Sequence, residues 1–175
     1  MSLVKKRNIL IVVMVLTYMV VWGQSCINGE NSQKESDAVM TALEPIHGVN
    51  VETVDRISDE FGQLNQLIRK SAHILEYSVI GLEFGLFIYF LLLQKGLFRK
   101  GIAADKRFWI YQIDALMVGM FTAVMDETIQ IFSGRGPLVS DIWVDLLGIA
   151  IGMVIIAVFM VIKAQKNENT KSDNN

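Results

Sequence analysis

The 175-residue chain has one cysteine, two prolines and two histidines. The lone Cys26 excludes an internal disulfide and any cysteine-rich metal cluster. Both prolines fall where turns are read, Pro45 in Pro45-Ile46-His47-Gly48 and Pro137 behind Gly134-Arg135-Gly136. There is no Ser–His–Asp order, no Walker-type phosphate loop and no His-Glu-x-x-His zinc signature. No internal repeat or strand-like alternation is visible either. Charge is also scarce: 16 Lys and Arg against 18 Asp and Glu leave a net −2, which gives no reason to expect a nucleic-acid partner. Charged residues make up 19% of the chain, below the roughly 25% of ordinary soluble domains.

What is present is apolar sequence, 52% of residues, with mean hydropathy +0.40, and it is gathered into blocks. Four blocks are long enough to cross a bilayer, which takes about 20 apolar residues. They are residues 8–29, 72–94, 108–125 and 142–162 of a single membrane domain, followed by a polar tail over 163–175. The first block carries no charge. Its basic leader resembles a signal peptide, but Gly23 stands where a lipoprotein cleavage site wants a leucine-like residue, so the anchor is read as retained. Lys5, Lys6 and Arg7 precede the first span, and Lys95, Arg99, Lys100, Lys106 and Arg107 lie between the second and third. Lys163, Lys166 and Lys171 follow the fourth. Lys and Arg collect on the cytoplasmic side. The sequence therefore predicts a multi-pass protein of the cytoplasmic membrane with both termini inside and residues 30–70 outside.

Within that outer segment, Val54, Ile57, Phe61, Leu64 and Ile68 recur at the spacing of one helix face, opposite Asp55, Arg56, Asp59 and Glu60. The expected fold is all-α: four transmembrane helices with an outer amphipathic helix before the second span. That helix packs on the bundle or lies in the interface; a docking surface for a partner protein is the other reading. His47, in the preceding turn, is expected to be solvated.

Ionisable residues within spans are costly and usually mark a pair, a pathway or a site. Under this topology Lys70, His73 and Glu76 open the second span, Asp126, Glu127 and Gln130 close the third, and Asp141 and Asp145 open the fourth after the Arg135 turn. All reach one depth, at the outer leaflet. His73, Glu76, Tyr77 and Glu83 fall within about a third of the helix circumference. Asp141, Asp145, Gly148 and Gly152 make one stripe, and Gly148-xxx-Gly152 is a spacing that admits a close helix neighbour. Asp126 and Gln130 share a face, whereas Glu127 is expected to point elsewhere. Glu83 and Asp114 lie deeper, Asp114 protonated or paired. A proton path from Glu76 through Glu83 to Asp114 would need facing geometry.

At these residues the chain resembles the VanZ-like family of small bacterial membrane proteins. The resemblance rests on Lys70-Ser71-Ala72-His73-Ile74-Leu75-Glu76-Tyr77, Asp126-Glu127-Thr128-Ile129-Gln130, Gly134-Arg135, and Asp141 and Asp145 with Gly148 and Gly152. Family members often place a proline just before the Gly-Arg pair; here Ser133 precedes it and Pro137 follows. The resemblance implies a cell-envelope protein and a link to teicoplanin-type glycopeptide resistance, without an assigned activity.

Three functions compete. One is binding of a membrane lipid headgroup or cell-wall precursor at an outer-leaflet pocket, with Arg135 as anchor because a guanidinium matches phosphate oxygens. In this reading Lys70, His73, Glu76, Tyr77, Asp126, Glu127, Gln130, Arg135, Asp141 and Asp145 line the pocket, and a divalent cation offsets its carboxylates. The second is an accessory subunit whose polar network only holds helices together. The third is an intramembrane acid–base or Mg²⁺-dependent enzyme acting on a lipid-linked phosphate.

Overall fold

The computed structural model describes residues 1–26, 54–133 and 138–172. The described chain forms four long helices and one short 3-10 turn, with no strand among the described residues. The helices are α1 (Leu3–Ser25), α2 (Val54–Gln94), α3 (Lys106–Phe132) and α4 (Val139–Ser172), and the turn is Ile102–Ala104. Each helix contains a stretch long and apolar enough to cross a membrane: Leu3–Ser25, Gln66–Gln94, Lys106–Phe132 and Val139–Asn167. The expected turns at residues 45–48 and 134–137, with His47 and Arg135, lie outside the described residues.

Three of the helical boundaries follow from local chemistry. Helix α1 starts where the Ser2 hydroxyl accepts from the Lys5 amide at 3.3 Å, satisfying a donor that the first turn leaves open. Helix α2 stops at Gly96, whose φ of +65° is accessible to glycine at little cost. The Leu97 amide then reaches the Leu92 carbonyl at 2.9 Å and the Gly96 amide reaches Leu93 at 3.2 Å, the paired bonds of a Schellman stop. Asp105 caps α3 by accepting from the Arg107 amide at 3.0 Å, and its carboxylate also holds the Arg107 guanidinium. That partner keeps the Asp105 carboxyl below its ordinary range.

The amphipathic segment expected before the second span is not a separate element. It runs without a break into α2, a single helix of 41 residues. Helix α3 likewise continues past Met125 to Phe132, carrying Asp126, Glu127 and Gln130 on its last turns.

The strongest packing in the bundle is α2 against α4, which run parallel. Tyr77, Ile80, Phe84, Ile88 and Leu92 of α2 meet Ile149, Met153 and Met160 of α4 in one buried core. Four glycines set the distance. A Cβ on Gly81 would lie 2.1 Å from the Ile149 carbonyl oxygen, and one on Gly152 would lie 2.2 Å from that of Ser78. Gly148 faces the Ile74 carbonyl, and Gly85 the Ile156 side chain. Two Gly-xxx-Gly ridges therefore interlock, Gly81 and Gly85 on one helix with Gly148 and Gly152 on the other. Such ridges allow close backbone approach where apolar burial gives little drive between helices in lipid. The outward faces are apolar, for example Val12, Leu16 and Val20 on α1 and Val154 and Val158 on α4.

Helix α1 joins along α2 with opposite direction. The Arg7 guanidinium donates to the Gln94 amide oxygen at 2.8 Å near one end, and the Thr17 hydroxyl donates to Glu83 at 2.6 Å further along. The bundle thus has two unlike ends, one with Arg7, Lys95 and Lys163 and one with the carboxylates.

Candidate functional site

At the carboxylate end, all four helices deliver polar side chains to one place. Helix α2 contributes His73 and Tyr77, one turn apart, with rings nearly parallel at 8° and centroids 6.4 Å apart. Helix α4 contributes Asp145, fully buried, whose Oδ1 lies 3.0 Å from His73 Nδ1, a contact bridged by one proton. Helix α3 contributes Asp126, and helix α1 closes the group when the Ser25 hydroxyl donates to Asp126. One candidate ligand atom from each of His73, Asp126 and Asp145 lies within 4.8 Å of the others.

Around this triad the bonding is directional. The Gln130 amide nitrogen donates to Asp126 Oδ2 and to Glu127 Oε1, both at 3.0 Å. Glu127 also accepts from the Leu138 amide at 2.9 Å, tying the end of α3 to the chain entering α4. Asp141 is buried in the first turn of α4, where its charge suits the helix dipole. It accepts from the Ser140 hydroxyl at 3.0 Å, and Arg69 stands 3.9 Å away.

Some buried polar atoms in the cluster have no hydrogen-bond partner: Asp145 Oδ2, Gln130 Oε1 and the Tyr77 hydroxyl. Two of the three atoms are acceptors only, so the cluster has unfilled demand for a proton donor or a cation.

The structure therefore gathers His73, Tyr77, Asp126, Glu127, Gln130 and Asp145, with Asp141 beside them. Glu127 is a correction, because it is buried in the cluster instead of pointing away. Gln130 lies between the two acids around the helix, about 40° from Asp126 and 60° from Glu127, so one amide bridges both. Glu76 takes a different side. It lines a groove of about 360 Å³ between α1 and α2 with Thr17 and Gln24. Lys70 is half-buried at this end, and it is its neighbour Arg69 that approaches Asp141.

The proposed proton path does not form among the described residues. Glu83 is turned to Thr17 of α1, while Asp114 is exposed on α3 and lines a separate groove of about 490 Å³ with Met14, Tyr18 and Phe84. Asp114, expected to be protonated or paired, has no ion pair among the described residues.

Sequence reasoning missed Ser25 and Thr17, because it followed charged residues and residues 8–25 of α1 have none. A signal was present: Thr17 with Tyr18 and Gln24 with Ser25 repeat seven residues apart in an otherwise apolar helix, which marks one face. The ridge Gly81-xxx-Gly85 carries the same signal as Gly148-xxx-Gly152, small residues four apart.

No curated protein and no solved structure matches the chain significantly. A family model does, that of VanZ/LLP1, over residues 9–160. The match takes in the cluster and also α1, which the motif resemblance had left aside and which the structure ties to Asp126 through Ser25. The chain belongs to the VanZ/LLP1 family.

Proposed function

We propose that this membrane protein binds a phosphate-bearing headgroup, of an anionic lipid or a lipid-linked cell-wall precursor, at the carboxylate end of its bundle. The observation that carries the reading is the convergence of His73, Asp126 and Asp145, with acceptors left unfilled, from three helices at one end. A purely architectural network has no need of orphaned buried acceptors, each of which costs about 1–3 kcal/mol. Arg69, close to Asp141, supplies the positive side that phosphate requires, and Arg135 is the guanidinium the sequence offers in addition. The carboxylates receive headgroup hydroxyls, amines or a bridging cation.

The carboxylate end is assigned to the outer face of the cytoplasmic membrane, because the basic clusters gather at the other end. With Cys26 replaced, Met40→Cys and Asn50→Cys should react with an impermeant thiol reagent in intact cells, and Lys100→Cys should not. The reverse pattern would overturn the orientation.

The binding reading is tested on full-length protein in phosphatidylcholine nanodiscs, with retained lipid identified by native mass spectrometry. Phosphatidylglycerol or a polyprenyl phosphate should be retained over phosphatidylcholine, and Arg135→Ala and Asp145→Asn should each weaken that preference while the protein stays folded. Equal retention of all three lipids would contradict it. Release of inorganic phosphate from the polyprenyl phosphate would make the protein an enzyme instead. Any change in teicoplanin susceptibility would be a consequence of this binding.

A further inference from the structure

We propose that His73, Asp126 and Asp145 form a site for one first-row divalent cation of the Zn²⁺ or Mn²⁺ class. In the role of bridging a headgroup phosphate the site rests on the reading above; as a cation site it stands on its own geometry. The three ligand atoms come from α2, α3 and α4 and lie within 4.8 Å of one another. Ligand bonds of about 2.1 Å place adjacent donor atoms about 3.0–3.4 Å apart and opposite ones about 4.2 Å apart. The His73–Asp145 separation of 3.0 Å already suits adjacent ligands, so a cation would take the place of the proton that now bridges them. The other separations, none above 4.8 Å, close on binding through side-chain movement.

Independent support comes from the unfilled atoms. Asp145 Oδ2, Gln130 Oε1 and the Tyr77 hydroxyl have no partner, and their side chains are 0%, 1% and 0% exposed. The two acceptors, Asp145 Oδ2 and Gln130 Oε1, call for positive charge, which a cation here would supply directly or through bound water. Hydrogen bonds fix the surroundings: Ser25 of α1 on one oxygen of Asp126 and Gln130, one turn along α3, on the other orient that carboxylate from outside, as outer partners of metal ligands do. The set also decides the class of ion. An imidazole among the ligands favours Zn²⁺ or Mn²⁺ over Mg²⁺ and Ca²⁺, which prefer oxygen alone. Three protein ligands leave at least one position open, and a phosphate oxygen fits there.

The test uses full-length protein in detergent, stripped with chelator, then titrated by calorimetry with Zn²⁺, Mn²⁺ and Mg²⁺. Zn²⁺ or Mn²⁺ should bind at one equivalent and Mg²⁺ much more weakly. Asp145→Asn and His73→Gln, with folding checked by thermal unfolding, should weaken that binding by about 100-fold or more. Tyr77→Phe, outside the ligand set, should weaken it by only about 10-fold. No Zn²⁺ or Mn²⁺ binding by the folded parent would overturn the proposal, as would unchanged binding in both ligand variants. Should either variant fail to fold, Asp126→Asn serves the same comparison. Lipid retention is read separately, with and without chelator. Cation binding without lipid preference would sink the headgroup reading alone, and lipid preference without cation binding would sink this one alone.

Discussion

Two lengths of the same helix pair, α2 against α4, are built on opposite principles. At Gly81 and Gly152 each helix lies directly against the other's backbone, with no room for a single added carbon at either position. One to two turns earlier the same helices present His73, Tyr77 and Asp145, and there buried acceptors are left unfilled. The seam is sterically complete and the polar end is chemically incomplete. A region that must only hold helices together has no use for the second property. The difference is the reason to read the seam as scaffold and the polar end as site.

The largest effect should come from breaking the seam. Gly152→Leu or Gly81→Leu forces side-chain atoms into a neighbouring backbone, which cannot yield as a flexible side chain would. Overpacking of this kind costs about 3 kcal/mol or more. Folded monodisperse protein should be lost on size-exclusion chromatography in detergent. Gly23→Ala is the control, because a Cβ there meets nothing within 4 Å. It should leave the bundle folded, with α1 slightly stabilised by alanine's better helix propensity.

Next in size is the link from α1 to the cluster. A double-mutant cycle of Ser25→Ala and Asp126→Ala, followed by thermal unfolding, should show a coupling of about 1 kcal/mol, the scale of polar contacts between membrane helices. A coupling near zero would detach α1 from the site. At the opposite end the contacts face the interface and should matter less. Lys163 Nζ lies 2.7 Å from the Tyr89 hydroxyl and 5.0 Å from its ring centroid. Lys163→Ala should cost less than about 1 kcal/mol. An equal cost at both ends would erase the contrast drawn between them.

The smallest effect is local and pH-dependent. Asp105 titrates below its ordinary value of 3.8 because Arg107 holds it as carboxylate. A depressed folded-state pKa contributes stability above the unfolded value, lost as pH falls through the folded one. Hydrogen exchange at the first turn of α3 should therefore be flat above pH 4 and quicken relative to the rest of the helix below it. Asp105→Asn should remove that pH dependence.

Much of this arrangement is legible in the sequence, for reasons that can be stated. Asp141, Asp145, Gly148 and Gly152 form a stripe because helical steps of three and four are rigid, and the structure places all four on the buried side of α4. The four apolar blocks are legible because a bilayer demands length. Glu127 was not, since its place depends on the chain doubling back so that Leu138 reaches it, and angular counting on one helix ignores the next. Glu76 and His73 share an arc of α2, yet that arc straddles two neighbours, so one residue goes to α1 and the other to α4. The continuity of α2 through Val54–Gln94 was hidden by a change of polarity, which marks a change of solvent and not a break in hydrogen bonding.

The central claim is that site and scaffold are separable, and Asp145→Asn tests it most directly. Its unfolding midpoint and its preference for phosphatidylglycerol over phosphatidylcholine should be measured on the same preparation. We expect a midpoint within about 4 °C of the parent, equivalent to roughly 1 kcal/mol for a chain of this length, together with loss of the lipid preference. A bundle that unfolds as Gly152→Leu does, or a stable one that keeps the preference undiminished, would contradict the account.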